Sequence, residues 1–337
     1  MSQSVCGRFA PTPSGRMHAG NVLCALLAWL SARSQGGRMV LRIEDLDPLR
    51  CPPENAALLE DDLHWLGLDW DEGGSAGGPH APYYQSQCTD FYEAALQKLR
   101  NKGLLYPCFC SRAQLHVASA PHLSDGQVIY NGRCRGLTAE QIRRLSQQRP
   151  AALRLRVPPE TIRFTDGCTG TYAENLAEAC GDFLVRRSDG IFAYQLAVVV
   201  DDARMEVTEV VRGRDLLAST PRQLYLYRLL GCRPPRYCHI PLLLAPDGRR
   251  LSKRDHDLDL GRLRQTLPDA RPLIGALAFL CGLQPAPEPV CAQDLLPHFR
   301  WSAVRKTSIR IPQAWYQVPP NRWAVRTEEL YAENPAL

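Results

Sequence analysis

Two short stretches of the sequence carry residue types suited to chemistry, and the first is PTPSGRMHAGN at residues 11–21. It packs two prolines, two glycines, a histidine and an asparagine between two apolar runs. The run before it, residues 5–10, is typical of a short buried strand, and the run after it, residues 22–34, has the apolar density of a helix. The stretch is therefore a strand-to-helix turn whose polar groups lie at a helix N-terminus.

The second stretch is the loop APDGRRLSKRDHD at residues 245–257, which follows the predicted strand HIPLLL. Only Lys98, Lys102, Lys253 and Lys306 are lysines among the 40 basic residues of the chain. A lone lysine among arginines indicates that the compact ammonium group itself is required. If the loop stood alone, a solvated basic hairpin would be the competing interpretation.

The elements that must position these stretches alternate between strand and helix. A strand at 38–44 and helices at 54–70 and 90–103 follow the first unit, and this alternation predicts an α/β fold with a parallel sheet. Residues 106–157 break the rhythm with cysteines, a loop and one short helix, so they are interpreted as an insertion. The pattern resumes with DFLVRRSDGIFAYQLAVVVDD, in which Ser188–Gly190 makes a hairpin turn. The predicted regions are 1–105 (first half of the core), 106–157 (insertion), 158–260 (second half of the core) and 261–337 (helical C-terminal region with a tail).

The composition excludes several classes of protein. With 337 residues, 45% hydrophobic and 22% charged, the chain is an ordinary globular protein of about two domains. The apolar run from Val22 lies behind a proline-rich turn and is shorter than the ~20 residues that span a bilayer, so a cytoplasmic, non-membrane protein is expected. Its 13 scattered cysteines indicate no dense disulfide framework, and the net charge of +5 is weak evidence for a nucleic-acid partner.

A turn with the pattern H-x-G-N in the first strand-helix unit and a late L-S-K-R loop together resemble the two signatures of class I aminoacyl-tRNA synthetases. The resemblance implies a Rossmann-like catalytic core that binds ATP with Mg²⁺. It also implies that His18, Gly20, Asn21 and Lys253 bind the phosphates at a helix N-terminus, with His18, Asn21 and Lys253 as catalytic residues. Asn21 stands where many synthetases have histidine, and Arg250 replaces the first lysine of the second signature.

The amino acid implied by the resemblance is glutamate. RFAPTPSG, RIEDLD, YQLAVVVDD and VRGRDL are similar to the corresponding segments of glutamyl-tRNA synthetases. A glutamate pocket needs cations for two carboxylates and an anion for the ammonium; the resemblance implies Arg8 and Arg212 as the cations and Glu44 as the anion. The alternative is a structural Arg8–Glu44 ion pair with Tyr194 as a core aromatic. The implied glutamate-binding residues are Arg8, Phe9, Ala10, Pro11, Thr12, Glu44, Tyr194 and Arg212.

Beyond Lys253 the sequence lacks the length of the helical anticodon-binding region of a full glutamyl-tRNA synthetase. Over roughly residues 5–290 it resembles a truncated paralogue family, the glutamyl-queuosine tRNA(Asp) synthetases. That resemblance implies a monomer that forms glutamyl-adenylate and transfers glutamate to the queuosine base of tRNA(Asp). A conventional glutamyl-tRNA synthetase, a related nucleotidyltransferase and a non-enzymatic RNA-binding module are the alternatives. Two interpretations of the tail from Phe299 are open: it contacts RNA, or it forms a helical cap on the core.

The insertion contains the other chemical constellation, CFC followed by YNGRC. Three thiolates suit the tetrahedral preference of zinc for soft ligands. The paralogue family has a zinc site of this pattern with a tyrosine as fourth ligand, which implies a structural zinc ion. His116 and His122 compete with the tyrosine for the fourth position, and ordinary unligated cysteines are the alternative interpretation. The implied ligands are Cys108, Cys110, Tyr130 and Cys134.

Overall fold

The computed structural model describes residues 4–111, 114, 129–251 and 258–316. Lys253, His116 and His122 lie outside the described residues. The α-helices are α1 (Ala19–Arg33), α2 (Glu54–Trp65), α3 (Thr89–Asn101), α4 (Ala139–Ser146), α5 (Leu176–Ala179), α6 (Tyr194–Arg204), α7 (Thr220–Leu230), α8 (Leu260–Thr266), α9 (Arg271–Cys281) and α10 (Ala292–Leu295). The strands are β1 (Cys6–Phe9), β2 (Arg38–Leu41), β3 (Glu72–Gly73), β4 (Leu105–Cys108), β5 (Ala152–Leu155), β6 (Thr161–Asp166), β7 (Gly170–Asn175), β8 (Phe183–Arg186), β9 (Glu209–Gly213), β10 (Arg236–Ile240), β11 (Leu243–Leu244) and β12 (Ile309–Arg310).

The predicted parallel sheet is confirmed. Strands β1, β2 and β3 pair in parallel in that order, and β9 pairs in parallel with β10. The two pieces adjoin, because the Thr208 N–H, just before β9, donates to the Cys6 carbonyl at 2.9 Å. Arg8 on β1 also donates to the Val211 carbonyl on β9 at 2.8 Å. The carboxyl ends of β1 and β9 thereby meet at one edge, where ligands bind in open α/β sheets.

Helix α1 connects β1 to β2 and lies deep in the larger core. Val22, Leu26, Leu27 and Leu30 are each 0% exposed. Burying a side chain of this size contributes about 1.5–3 kcal/mol, so this helix is firmly held against the sheet. Its N-terminus, and with it the polar turn of residues 11–21, is fixed by that packing.

The predicted hairpin turn is confirmed, and the chain continues from it into a helix. The Ser188–Gly190 turn is present, with the Arg187 N–H donating to the Ile191 carbonyl at 2.8 Å. Arg186 and Phe192 form an antiparallel bridge across the turn, and the following run YQLAVVVDDAR forms α6, whose Leu196 and Val198 pack in a second core cluster. The β-branched run favours a strand locally, but burial of one helical face against neighbouring helices outweighs that preference.

The insertion forms an antiparallel sheet in the order β4, β5, β8. Its helix α4 begins with a capping box in which Thr138 Oγ1 accepts the Gln141 N–H and the Gln141 side chain accepts the Thr138 N–H. Because β8 lies beyond residue 157, this sheet joins the insertion to the following part of the chain. The domain boundaries themselves stay a prediction.

The first part of the tail packs on the core. Strand β12 pairs in parallel with β11, and Trp315 is 2% exposed. Residues 299–316 thus contribute a short strand and a 3₁₀ turn rather than a helical cap, although α8, α9 and α10 make the region before them largely helical. No helix among the described residues is long and apolar enough to cross a membrane.

Candidate active site

A cavity of about 460 Å³ opens where the turn after β1 meets the ends of β9 and β10. It brings together every described residue that the sequence predicted for the two substrates. Lys253 lies outside the described residues, although Arg250 and Leu251, just before it, line the same cavity. The predicted residues that line it are Arg8, Phe9, Ala10, Pro11, Thr12, His18, Gly20, Asn21, Glu44, Tyr194 and Arg212.

His18 is the N-cap of α1, and its imidazole holds the first turn. Its Nδ1 accepts the backbone N–H groups of Gly20 at 3.1 Å and Asn21 at 3.3 Å. The Asn21 Oδ1 in turn accepts the His18 N–H at 3.2 Å, which completes a capping box. Because Nδ1 accepts, the ring proton of the neutral imidazole lies on Nε2. His18 therefore carries a donor nitrogen at the positive end of a buried helix.

Gly20 packs closely against this imidazole. A Cβ at Gly20 would lie 3.0 Å from His18 Cε1 and 3.1 Å from Nδ1. A side chain at this position would displace the ring and loosen the cap. The spacing of histidine and glycine in the motif is thus set by how the cap packs, as well as by access for a nucleotide.

Glu44 is a buried anion of the cavity and is held by a buried arginine. The Arg42 guanidinium, 0% exposed, donates to Glu44 Oε1 at 3.0 Å and to Asp202 Oδ1 at 2.5 Å. Burial raises the pKa of Glu44, although Arg42 and Arg8 oppose that change. A buried carboxylate of this kind is well suited to a cationic ligand. Burial removes the water that would solvate its charge, and a bound ammonium group compensates for that loss.

Arg212 is the second cation of the cavity, and most of its donors are already used. Its Nε donates to His239 Nε2 at 3.0 Å, and its Nη2 donates to Thr220 Oγ1 at 2.8 Å and to the Leu216 carbonyl at 3.4 Å. Its Nη1 is buried without a hydrogen-bond partner among the described residues. A buried guanidinium nitrogen without a partner is costly, so an acceptor that reached Nη1 would stabilise Arg212.

The thiols of Cys108, Cys110 and Cys134 form a separate cluster, with all sulfur atoms within 4.8 Å of one another. The Tyr130 hydroxyl lies 3.7 Å from Cys108 Sγ and accepts the Cys134 N–H at 2.8 Å. Burial opposes ionisation of Cys108, but the Cys110 N–H and the Arg154 guanidinium outweigh it and lower the pKa of this thiol. Burial raises the pKa of the Cys110 thiol to about 12, so of these two thiols only Cys108 is favoured as a thiolate. Three sulfur atoms this close together are nevertheless a ligand set that fits a soft metal ion.

The chain matches the sequence profile of "tRNA synthetases class I (E and Q), catalytic domain" over residues 4–286. This chain belongs to that class I synthetase family. It is 51% identical to a "Glutamyl-Q tRNA(Asp) synthetase" of Symbiobacterium thermophilum, over 91% of this chain and 96% of the relative. It is 40% identical to "Glutamate--tRNA ligase 1" of Halorhodospira halophila, over 91% of this chain but 69% of that relative.

Solved structures agree with the family assignment. A glutamate tRNA ligase of Elizabethkingia meningosepticum, solved in complex with its amino acid, superposes with a TM-score of 0.78 at 27% identity. The superposition covers 98% of this chain and 74% of the other. The synthetase catalytic fold is therefore shared over nearly the whole chain.

The residues that contact Arg8, Glu44 and Arg212 and hold them in place were not predicted from the sequence. Arg42 holds Glu44 and donates to Asp202, and Asp202 Oδ1 lies 3.8 Å from Arg8 Nε. His239 holds Arg212. The available signal was a polar or charged residue within or directly after an apolar run, since such a residue needs a buried partner.

Proposed function

We propose that this chain activates L-glutamate with ATP and transfers it to the queuosine base in the anticodon loop of tRNA(Asp). The observation that supports glutamate activation is the charge pattern of the cavity. Arg8, Arg212 and Glu44 line the same space as the capped N-terminus of α1, and the other two charged lining residues, Arg250 and Asp215, lie 3.8 Å apart as an ion pair. Glutamate carries the complementary set of two carboxylates and one ammonium group.

In the first step the α-carboxylate of glutamate attacks the α-phosphorus of ATP in line, and pyrophosphate leaves. This chain contributes position and charge, since no covalent nucleophile is needed. His18, Asn21 and Lys253 are assigned to the phosphates, where charge builds up on the oxygens in the transition state. Mg²⁺ bound with ATP would supply further positive charge to the same phosphates.

In the second step a hydroxyl of the queuosine cyclopentene ring attacks the carbonyl carbon of glutamyl-adenylate, the mixed anhydride formed in the first step. An ester forms, and AMP and the hydroxyl proton are released. We assign no general base to this step. The choice of acceptor rests on the relatives: the glutamyl-Q synthetase is more similar to this chain than the glutamate–tRNA ligase, at 51% against 40% identity. The cytoplasmic location and the monomeric state stay predictions.

The first step is tested without any RNA. Glutamate-dependent exchange of labelled pyrophosphate into ATP is expected, because every group assigned to glutamate and ATP belongs to this chain. Glutamine is the control substrate, since its side-chain amide lacks the charge that an arginine pairs with. Exchange that is absent with glutamate, or equal with both amino acids, would contradict the proposed pocket.

We further propose that Cys108, Cys110, Tyr130 and Cys134 bind a structural zinc ion. The sulfur atoms are close enough for one ion, and the Tyr130 hydroxyl lies beside them. The cluster joins the end of β4 to the loop before α4, so an ion there would fix a segment with little core of its own.

Purified protein is expected to hold about one zinc ion per chain, as for a single tetrahedral site. Replacing Cys110→Ser should abolish stoichiometric zinc and lower the melting temperature. Cys291→Ser is the matched control, because Cys291 is an exposed free thiol away from the cluster. Zinc content is measured by mass spectrometry. A zinc-free wild type with full exchange activity would contradict the proposed site and leave Cys108, Cys110 and Cys134 as ordinary thiols.

A further inference from the structure

His239 is a buried histidine that does not line the cavity. It lies on β10, is 0% exposed, and contacts Arg212 on one side and Asp166 on the other. Its Nε2 lies 3.0 Å from Arg212 Nε and 3.2 Å from Thr220 Oγ1, and its Nδ1 lies 2.6 Å from Asp166 Oδ2. This histidine therefore connects a carboxylate to a cavity arginine without reaching the cavity itself.

The geometry fixes the tautomer of His239. A guanidinium nitrogen can only donate, so His239 Nε2 must accept from Arg212 and cannot carry a proton. The ring proton then lies on Nδ1 and is donated to Asp166. Asp166 is in turn held by its other oxygen, since Oδ1 accepts the N–H groups of Cys168 at 3.0 Å and Thr169 at 2.8 Å.

We propose that His239 is a positioning residue for Arg212, with Asp166 holding it in the tautomer that lets Arg212 present Nη1 to a carboxylate of glutamate. The inference rests on the proposed function, because it names a support for the glutamate pocket. With Nε fixed by His239 and Nη2 fixed by Thr220, the plane of the guanidinium is set before substrate binds. Preorganisation of this kind lowers the cost of binding.

The electrostatics of the cluster agree with a neutral His239. Burial lowers the pKa of His239 and the Arg212 guanidinium acts in the same direction, whereas the hydrogen bond to Asp166 opposes them. Burial alone would raise the pKa of Asp166. Hydrogen bonds from His239 and the Thr169 N–H outweigh burial and lower this pKa to about 2. The carboxylate is thus charged and the imidazole neutral, with Arg8 as a further cation nearby.

The experiment measures KM for glutamate, KM for ATP and kcat in pyrophosphate exchange. His239→Leu removes the acceptor, and the KM for glutamate should rise by about tenfold to a hundredfold, as for a lost hydrogen bond to a charged group. The KM for ATP should stay within about twofold, because the phosphates are assigned to groups on other elements. His239→Gln, whose amide offers both an acceptor and a donor, should recover most of the loss.

A second variant changes the tautomer and leaves the loop in place. Asp166→Asn keeps an oxygen for the backbone N–H groups of Cys168, Thr169 and His239 but turns a donor towards His239 Nδ1. The proton then moves to Nε2 and opposes Arg212 Nε, so the KM for glutamate should rise as in His239→Leu. Histidine ¹⁵N spectra should show the Nδ1–H form in the wild type and its loss in this variant.

A double variant of His239 and Arg212 distinguishes a positioning role of His239 from a general effect on stability. In an Arg212→Lys background the Nε donor is gone, so adding His239→Leu should change the KM for glutamate by less than about twofold. A wild type without glutamate-dependent exchange would overturn the proposed function, and this role with it. Normal wild-type exchange with an unchanged glutamate KM in folded His239→Leu, or an Nε2–H tautomer in the wild type, would overturn the role of His239 alone.

Discussion

Labelled glutamate is expected on tRNA(Asp) from cells that make queuosine, and none on the same tRNA from cells unable to make it. The effect is all-or-none because the proposed acceptor hydroxyl belongs to the modified base and is absent from guanosine. The measurement is acid-precipitable label after incubation with ATP, glutamate and each tRNA.

The matched control shortens the queuosine-containing tRNA(Asp) by its terminal adenosine. Transfer should persist, because the attacking hydroxyl lies in the anticodon loop. A conventional synthetase would lose all transfer with this substrate, since it esterifies that adenosine. Efficient charging of unmodified tRNA(Glu) at its 3′ end would contradict the proposed acceptor and favour the ordinary ligase.

Replacing His18→Ala is expected to slow glutamyl-adenylate formation by about a hundredfold or more, the scale for losing one preorganised donor in a transition state. The structure adds a complication, because His18 also caps α1. Loss of an N-cap side chain costs about 1 kcal/mol of stability, so the alanine variant should also unfold at a lower temperature.

His18→Asn separates the two roles. Asparagine is among the best N-cap residues and can accept the same backbone N–H groups, so stability should stay near the wild-type value while the imidazole donor is lost. Pyrophosphate exchange and thermal unfolding are measured on both variants. If the asparagine variant exchanged pyrophosphate at a near-normal rate, His18 would be a cap and nothing more.

The residues of the candidate site that belong to sequence motifs were predicted from the sequence. The turn of residues 11–21 is local: its prolines, glycines and apolar flanks define a strand, a turn and a helix within a few residues, so His18 was placed at a helix N-terminus without any tertiary information. The resemblance to glutamyl-tRNA synthetases then named Arg8, Glu44 and Arg212, and the structure places all of them in one cavity.

What surrounds those residues was not predictable, because the contacts are long-range. Arg42 meets Asp202 across 160 positions of sequence, and His239 meets Asp166 across 73. No local pattern specifies which buried charge will face which partner. The same limit explains α6, where a β-branched run with strand preference is helical because its apolar face is buried against other helices.

By itself the sequence determined which groups are available, namely a histidine and an asparagine at a helix N-terminus, arginines and a glutamate, and a set of cysteines; the family resemblance then predicted phosphates, an amino acid and a metal as their ligands. Only the tertiary structure decided how those groups are held. It set the Arg42 bridge behind Glu44, the neutral imidazole behind Arg212 and the packing of Trp315 on the core. Residue types and short spacings encode what a group can do, whereas burial and partners arise only when distant segments meet.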